Sequence, residues 1–94
     1  MLEKDIERKL SRLVRLRGGL FYKFNSPNNP GVPDRIVITR NGTYFVEIKS
    51  VIGRLSAMQA QKINEISNHG AKVRVVYGWD SAKAFIDEVL PDGV

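Results

Sequence analysis

The chain of 94 residues contains no cysteine, so it can form neither a disulfide bond nor a metal site with thiolate ligands. It has a single histidine, His69, and a zinc site would therefore need carboxylates almost alone, which is rare. Any metal ion that binds here should be a hard cation with oxygen ligands, which means magnesium or manganese.

Long apolar segments are also missing from the sequence. No run of residues has the length of a membrane span, and no signal-peptide hydrophobic core is present. We therefore expect an intracellular, soluble, cytoplasmic protein. A chain of this length suits a single domain over residues 1–94, and a homodimer would add to its modest core.

Negative charge is scarce relative to positive charge. The chain has 15 lysines and arginines against 10 acidic residues, which gives a formal net charge of +5. This balance favours an anionic partner, with nucleic acid ahead of an anionic membrane surface. Charge alone is weak evidence, because many basic domains bind neither.

Hydrophobic periodicity divides the chain into alternating helices and strands. The predicted helices are 3–17, 56–68 and about 80–89, and the predicted strands are 20–24, 35–39, 43–49 and 73–77. Ser56 is the expected N-cap of the second helix, and Asp80 or Ser81 of the third. The order αβββαβα, with a parallel βαβ unit at its end, predicts an α/β fold whose mixed central sheet is flanked by helices.

Two connections and the C-terminal tail are predicted to lack regular structure. Residues 25–33 contain three prolines, three asparagines and one glycine, which neither a helix nor a strand accommodates. Asn41-Gly42 predicts a tight primed hairpin turn, and a turn there pairs residues whose numbers sum to about 83. The tail 91–94 is expected to fray.

Three charged residues meet at one end of the predicted hairpin. Asp34 opens one strand, while Glu47 and Lys49 share one face of its partner, with Ile48 on the other face. Close carboxylates repel unless a cation neutralises them, so the pair implies Mg²⁺, and the lysine can position water or stabilise developing charge. That combination suits phosphodiester hydrolysis. Alternatively, Asp34 caps a turn after Pro33 and the other two are a solvated pair.

Three motifs together resemble the VRR-type nuclease family of the PD-(D/E)xK superfamily. They are GVPDR at 31–35, FVEIK at 45–49 and GRLSAMQ at 53–59. The resemblance spans nearly the whole chain and implies a stand-alone nuclease domain with a restriction-endonuclease-like core. It also implies that Asp34, Glu47 and the main-chain carbonyl of Ile48 bind Mg²⁺ or Mn²⁺, and that Lys49 is catalytic.

The same family places a glutamate on the first helix and a glutamine on the helix after the catalytic strand. Glu3 and Glu7 are both candidates for the acid, and Glu7 is preferred because Glu3 lies near a fraying end. Both could instead be first-turn acids favoured by the helix dipole. Gln59 matches the glutamine, although by itself it is an ordinary helix surface residue.

Cations near the predicted site are candidate phosphate contacts, although each could equally be a plain solvated side chain. They are spread over the first two helices, the first two strands and the loop after the third strand: Arg8, Arg12, Lys23, Arg35, Arg54 and Lys62.

These features lead us to expect a magnesium-dependent DNA endonuclease. The resemblance implies branched DNA such as four-way (Holliday) junctions, cut by a homodimer whose two sites face two strands during repair or recombination. No base-recognition motif is present, which disfavours sequence-specific restriction. Two alternatives stay open: a non-catalytic nucleic-acid-binding module, and a nuclease that acts on RNA or on another DNA structure.

Overall fold

The computed structural model describes residues 1–92 and has the predicted order of elements. Gly93 and Val94, on which part of the expected frayed tail falls, lie outside the described residues. No helix within residues 1–92 combines the length and apolar character that crossing a membrane requires. The elements are α1 (Glu3–Leu16), β1 (Leu20–Lys23), β2 (Arg35–Thr39), β3 (Gly42–Lys49), α2 (Ala57–Asn68), β4 (Lys72–Tyr77) and α3 (Gly78–Val89).

The four strands form one mixed sheet in the order β1-β2-β3-β4. The first three strands are antiparallel neighbours, whereas β3 and β4 are parallel and α2 connects them, so the βαβ prediction is confirmed. The start of α3 differs from the prediction. Gly78, at φ +82°, lets the chain turn from β4 directly into the helix, and neither Asp80 nor Ser81 caps it.

The β2–β3 hairpin turns one residue earlier than its sequence predicts. Thr39 pairs with Gly42, so the turn consists of Arg40 and Asn41, and neither has a positive φ. The N–H of Asn41 donates to Oγ1 of Thr39 at 3.0 Å, which stabilises this turn instead of the predicted primed one. The register shifts accordingly. Asp34, which precedes the Arg35–Val46 pair, lies in line with Glu47 rather than with residue 49.

The hydrophobic core lies between one face of the sheet and the helices α1 and α3. Alternate strand residues face these helices, and Tyr44 packs edge-on against Phe85 with ring centroids 5.6 Å apart. Arg17, at the end of α1, pairs with Asp87 of α3 at 2.7 Å. The fully or nearly fully buried core residues include Ile6, Leu10, Val14, Val37, Val46, Val76, Ala82 and Ile86.

The opposite face of the sheet is covered only in part, by α2. No residue of α2 is buried, since its inward side chains are half-exposed. Ile36 and Ile38, which the apolar run 36–38 predicted to be buried, are also only half-buried. Leu20 and Tyr22 on β1 are 47% and 53% exposed. We call these four apolar residues of β1 and β2 the open sheet face.

Gly31 lets the loop before β2 approach the first turn of α2. A Cβ atom at Gly31 would lie 2.7 Å from the main-chain oxygen of Met58, and the residue has a φ of +90°. Gly70 has nearly the same φ, +92°, but a Cβ atom there would meet nothing within 4 Å. The two glycines therefore separate backbone strain from close contact.

We expect Gly31→Ala to lower the free energy of unfolding more than Gly70→Ala does. The left-handed backbone should cost about 1–2 kcal/mol in either variant, and only Gly31→Ala adds a clash with main chain that cannot rotate away. Urea unfolding of both variants measures the difference. Equal losses would contradict the close approach of the loop to α2.

Candidate active site

Asp34 stands immediately before β2, with its main chain held on two sides. Its carbonyl oxygen accepts hydrogen bonds from the N–H of Phe24 at 2.9 Å and from the guanidinium of Arg35 at 2.8 Å. Pro33 is fully buried and restricts the backbone that leads into Asp34. The Asp34 side chain, in contrast, is 63% exposed. The backbone is thus fixed while the carboxylate remains accessible.

Glu47 and Lys49 share the face of β3 that points away from the core helices. Glu47 is only 7% exposed and is the one buried charged residue within residues 1–92. The Nζ of Lys49 lies 3.9 Å from Oε2 of Glu47, at the long end of ion-pair distance. The register places Asp34 on the same face of the sheet. The three residues therefore meet at one end of the sheet, as the sequence predicted.

The pKa of Glu47 is raised, first because the carboxyl is buried and then because Asp34 repels its charge. Glu3 adds further repulsion, while Lys49 and Arg35 attract the carboxylate and oppose the shift. Burial and acidic neighbours together outweigh the two cations. An additional positive charge at this position would stabilise the ionised form.

Gln59 connects Glu47 to the start of α2. Its side-chain oxygen accepts from the N–H of Ser56 at 2.9 Å, and its main-chain N–H donates to the Ser56 hydroxyl at 3.1 Å, which forms a capping box. Its side-chain nitrogen lies 3.4 Å from Oε2 of Glu47 and donates to it. The Ser-x-x-Gln spacing carries this capping signal in the sequence, although only Ser56 was recognised from it.

A small pocket of about 220 Å³ lies where these residues meet α1. Glu7 and Arg35 form an ion pair across it, which sequence reasoning did not anticipate. Glu3 is exposed at its rim and acts electrostatically on Glu47. The pocket is lined by Glu3, Lys4, Glu7, Asp34, Arg35, Glu47 and Ile48.

The predicted phosphate contacts separate into two groups. Arg8, Arg12, Lys23 and Arg35 line one groove between α1 and β1. Two further cations in this groove, Lys4 and Arg15, were missed by the sequence reasoning, although they continue the helical spacing of the others. Arg54 and Lys62 lie outside that groove, and Lys62 is 3.6 Å from Glu65 on its own helix.

The oxygen donors at this sheet end have the chemistry that a hard cation requires. Within residues 1–92, no three acidic or histidine side chains come close enough together to hold an ion by themselves. The available donors are the carboxylates of Asp34 and Glu47 and the main-chain oxygen of Ile48, which also lines the pocket.

Comparison with known proteins identifies the family. Residues 5–80 match the VRR-NUC domain. The chain belongs to the VRR-NUC domain family. The matched segment contains Glu7, Asp34, Glu47, Lys49 and Gln59, whereas Glu3 lies just before it. Nucleases of this kind generally use a divalent metal ion.

Solved structures support the VRR-NUC assignment. A VRR-NUC domain superposes with a TM-score of 0.82 at 25% identity, over 90% of this chain and 94% of that one. A VRR-NUC domain protein gives 0.79 at 18% identity, over 98% and 92%. Hjc of Archaeoglobus fulgidus, a Holliday junction resolvase, gives 0.57 at 20% identity, over 78% and 64%. The predicted restriction-endonuclease-like fold is confirmed.

One curated relative matches part of the VRR-NUC domain. It is the candidate nuclease p44 of Acyrthosiphon pisum secondary endosymbiont phage 1, which is 51% identical over 49 residues. The alignment covers 51% of this chain and 53% of the phage protein. The chain thus matches about half the length of this relative.

We expect Glu47→Gln to raise the free energy of unfolding at neutral pH in the presence of EDTA. A raised pKa means that folding favours the protonated carboxyl, so the ionised form lowers stability at every pH above that pKa. The difference between wild type and variant should therefore shrink as the pH falls and vanish below about pH 4, where the unfolded chain is protonated as well. Thermal melts between pH 4 and 8 measure it, since about 1 kcal/mol shifts the Tm by about 4–8 °C.

Glu88→Gln is the control for this experiment, because it should act in the opposite direction. Its pKa is lowered by the hydrogen bond from Arg74, so removal of the charge should slightly lower stability at neutral pH. A Glu47→Gln variant that is less stable than wild type in EDTA would show that the Lys49 pairing outweighs burial and repulsion.

Proposed function

We propose that the protein is a magnesium-dependent DNA endonuclease that hydrolyses phosphodiester bonds at the sheet end occupied by Asp34, Glu47 and Lys49. The observation that carries this proposal is the convergence of two carboxylates and a lysine on one face, with the carboxylates repelling each other. Membership of the VRR-NUC family supports the same chemistry.

The donor set suits a hard divalent cation. Asp34, Glu47 and the main-chain oxygen of Ile48 would hold Mg²⁺, and Mn²⁺, with similar ligand preferences, should also support activity. When bound, the ion would polarise a phosphoryl oxygen and offset the charge that develops in the transition state.

The side chains around Glu47 have distinct parts in this proposal. Lys49 would hold the attacking water or stabilise negative charge on the phosphate, since its ammonium lies beside the acids. Gln59 would orient the Glu47 carboxylate, because one of its side-chain atoms bonds that carboxylate and the other is fixed by the capping box.

Two observations favour Glu3 over Glu7 as the acid that α1 contributes to the reaction. Glu7 is already neutralised by its ion pair with Arg35. Glu3, in contrast, is exposed at the rim of the pocket and contributes to the raised pKa of Glu47. In this proposal Glu7 holds Arg35, and Arg35 holds the backbone of Asp34.

We expect wild-type protein with Mg²⁺ to cut a labelled four-way junction, and to cut it faster than linear duplex of the same sequence. Asp34→Ala and Lys49→Ala should each lower the cleavage rate by about a hundredfold or more while largely sparing DNA binding. Lys83→Ala is the matched control, since Lys83 lies on α3 and pairs with Asp87. Mg²⁺ should raise the Tm of wild type more than that of Asp34→Ala.

Three outcomes would overturn parts of this proposal. Binding without Mg²⁺-dependent cleavage of any DNA would indicate a non-catalytic module. Cleavage confined to RNA versions of the substrates would indicate an RNA-directed nuclease. Full activity in Asp34→Ala would refute the assignment of the site.

The preference for branched DNA rests on a proposed homodimer joined through the open sheet face. That surface is apolar, yet half of it or more is exposed at Leu20 and Tyr22. A second copy would bury it and supply the core that α2 leaves incomplete. Ile36 lies two positions from Asp34 on the same face, so a two-fold dimer would present both active sites on one side.

We expect Leu20→Asp to convert the dimer into a monomer, because an unpaired carboxylate would be buried in the interface. The monomer should stay folded, since Leu20 is 47% exposed within one copy. Leu16→Asp is the matched control, as Leu16 is 81% exposed near the end of α1. Sedimentation equilibrium at micromolar concentration measures the mass. A wild-type monomer, or a dimeric Leu20→Asp variant, would contradict this interface.

A further inference from the structure

A basic groove of about 770 Å³ runs between α1 and β1. We call it the α1–β1 groove. Its floor contains Phe21 and Tyr22, and Glu7 is the only acidic residue among those that line it. The cationic residues along it are Lys4, Arg8, Arg12, Arg15, Lys23 and Arg35.

Most of the positive charge in this groove is not neutralised by the protein. Across residues 1–92, no carboxylate lies within ion-pair distance of Lys4, Arg12, Arg15 or Lys23. Arg8 is 3.8 Å from Asp5 in an exposed pair, which contributes little. An uncompensated basic groove of this kind attracts a polyanion.

The helical cations form a single stripe along α1. Lys4, Arg8, Arg12 and Arg15 recur at spacings of four, four and three, which keeps them on one side of the helix. From Lys4 to Arg15 the stripe extends about 16 Å at 1.5 Å per residue. One DNA strand rises about 3.4 Å per nucleotide, so the stripe matches about five nucleotides.

The groove leads directly into the acid pocket. Lys4, Glu7 and Arg35 line both, and Arg35 also bonds the backbone of Asp34. The opposite end, at Arg15, lies at the far end of α1. A strand whose phosphates follow the stripe would therefore reach the acids at one end only.

We propose that the α1–β1 groove holds the phosphates of about five nucleotides on one side of the bond that is cut. This inference rests on the proposed nuclease function and adds a direction to it. Because the contacts are to phosphates, they are independent of base sequence. The enzyme therefore requires DNA on the groove side of the cut and is tolerant of its absence on the other side.

Binding tests the groove without reference to catalysis. The double variant Arg12→Ala/Arg15→Ala, made in the Lys49→Ala background and measured in EDTA, should bind DNA at least tenfold more weakly. The plot of log K against log salt should lose about 0.9 per phosphate contact, or about 1.8 in total. Arg40→Ala, an exposed cation on the β2–β3 turn, is the matched control and should change neither. An unchanged salt slope with normal thermal melts would overturn the proposal.

Cleavage then tests the direction. Substrates with one fixed cut site are shortened from either side, and kcat/KM is measured for wild type and for Arg12→Ala/Arg15→Ala with Lys49 intact. Wild type should lose activity when one side falls below about five nucleotides, and the double variant should lose that dependence. An equal length requirement on both sides would overturn the proposal. If wild type cuts no substrate, the nuclease function fails and the salt slope alone decides the groove.

Discussion

Glu47 is a carboxylate that the fold buries at the end of an otherwise apolar sheet, and the surrounding structure offsets the resulting electrostatic penalty. Lys49 approaches from the same strand, and Gln59 donates from α2 with its own side chain fixed by the capping box. Asp34 acts in the opposite sense, because its negative charge raises the pKa of Glu47 further. A carboxylate that is buried, partly paired and still repelled favours the arrival of one more cation. That unresolved electrostatic strain is what links the architecture of the sheet to metal-dependent chemistry.

The two faces of the sheet have different tasks. The face toward α1 and α3 contains nearly the whole hydrophobic core, which gives the small domain its stability. The other face carries the acids, the lysine and the partly exposed apolar residues of β1 and β2. Helix α1 serves both sides, since one of its stripes is buried in the core and another lines the basic groove. The active site is therefore built on rigid elements while its substrate-facing side stays accessible.

The register of the hairpin shows why a local error left the predicted site intact. The turn lies one residue earlier than Asn41-Gly42 predicted, which shifts the pairing by two positions. A shift of two preserves which residues share a face, because side chains alternate with a period of two. Asp34, Glu47 and Lys49 thus remain together. The start of α3 was also mispredicted, since nothing in the local pattern shows that Gly78 adopts a positive φ.

The sequence by itself determined the order of elements, the sheet end where the acids meet and the capping residue Ser56. These depend on periodicity and local hydrogen bonding, which neighbouring residues control. Only the tertiary structure decided that Glu7 pairs with Arg35, that Glu3 acts on Glu47, and that Lys4 and Arg15 extend the cations of α1 into one groove. It also decided that α2 leaves one sheet face open. Those facts depend on how α1 and α2 pack against the sheet, and the distance between elements remote in sequence is set by the whole core.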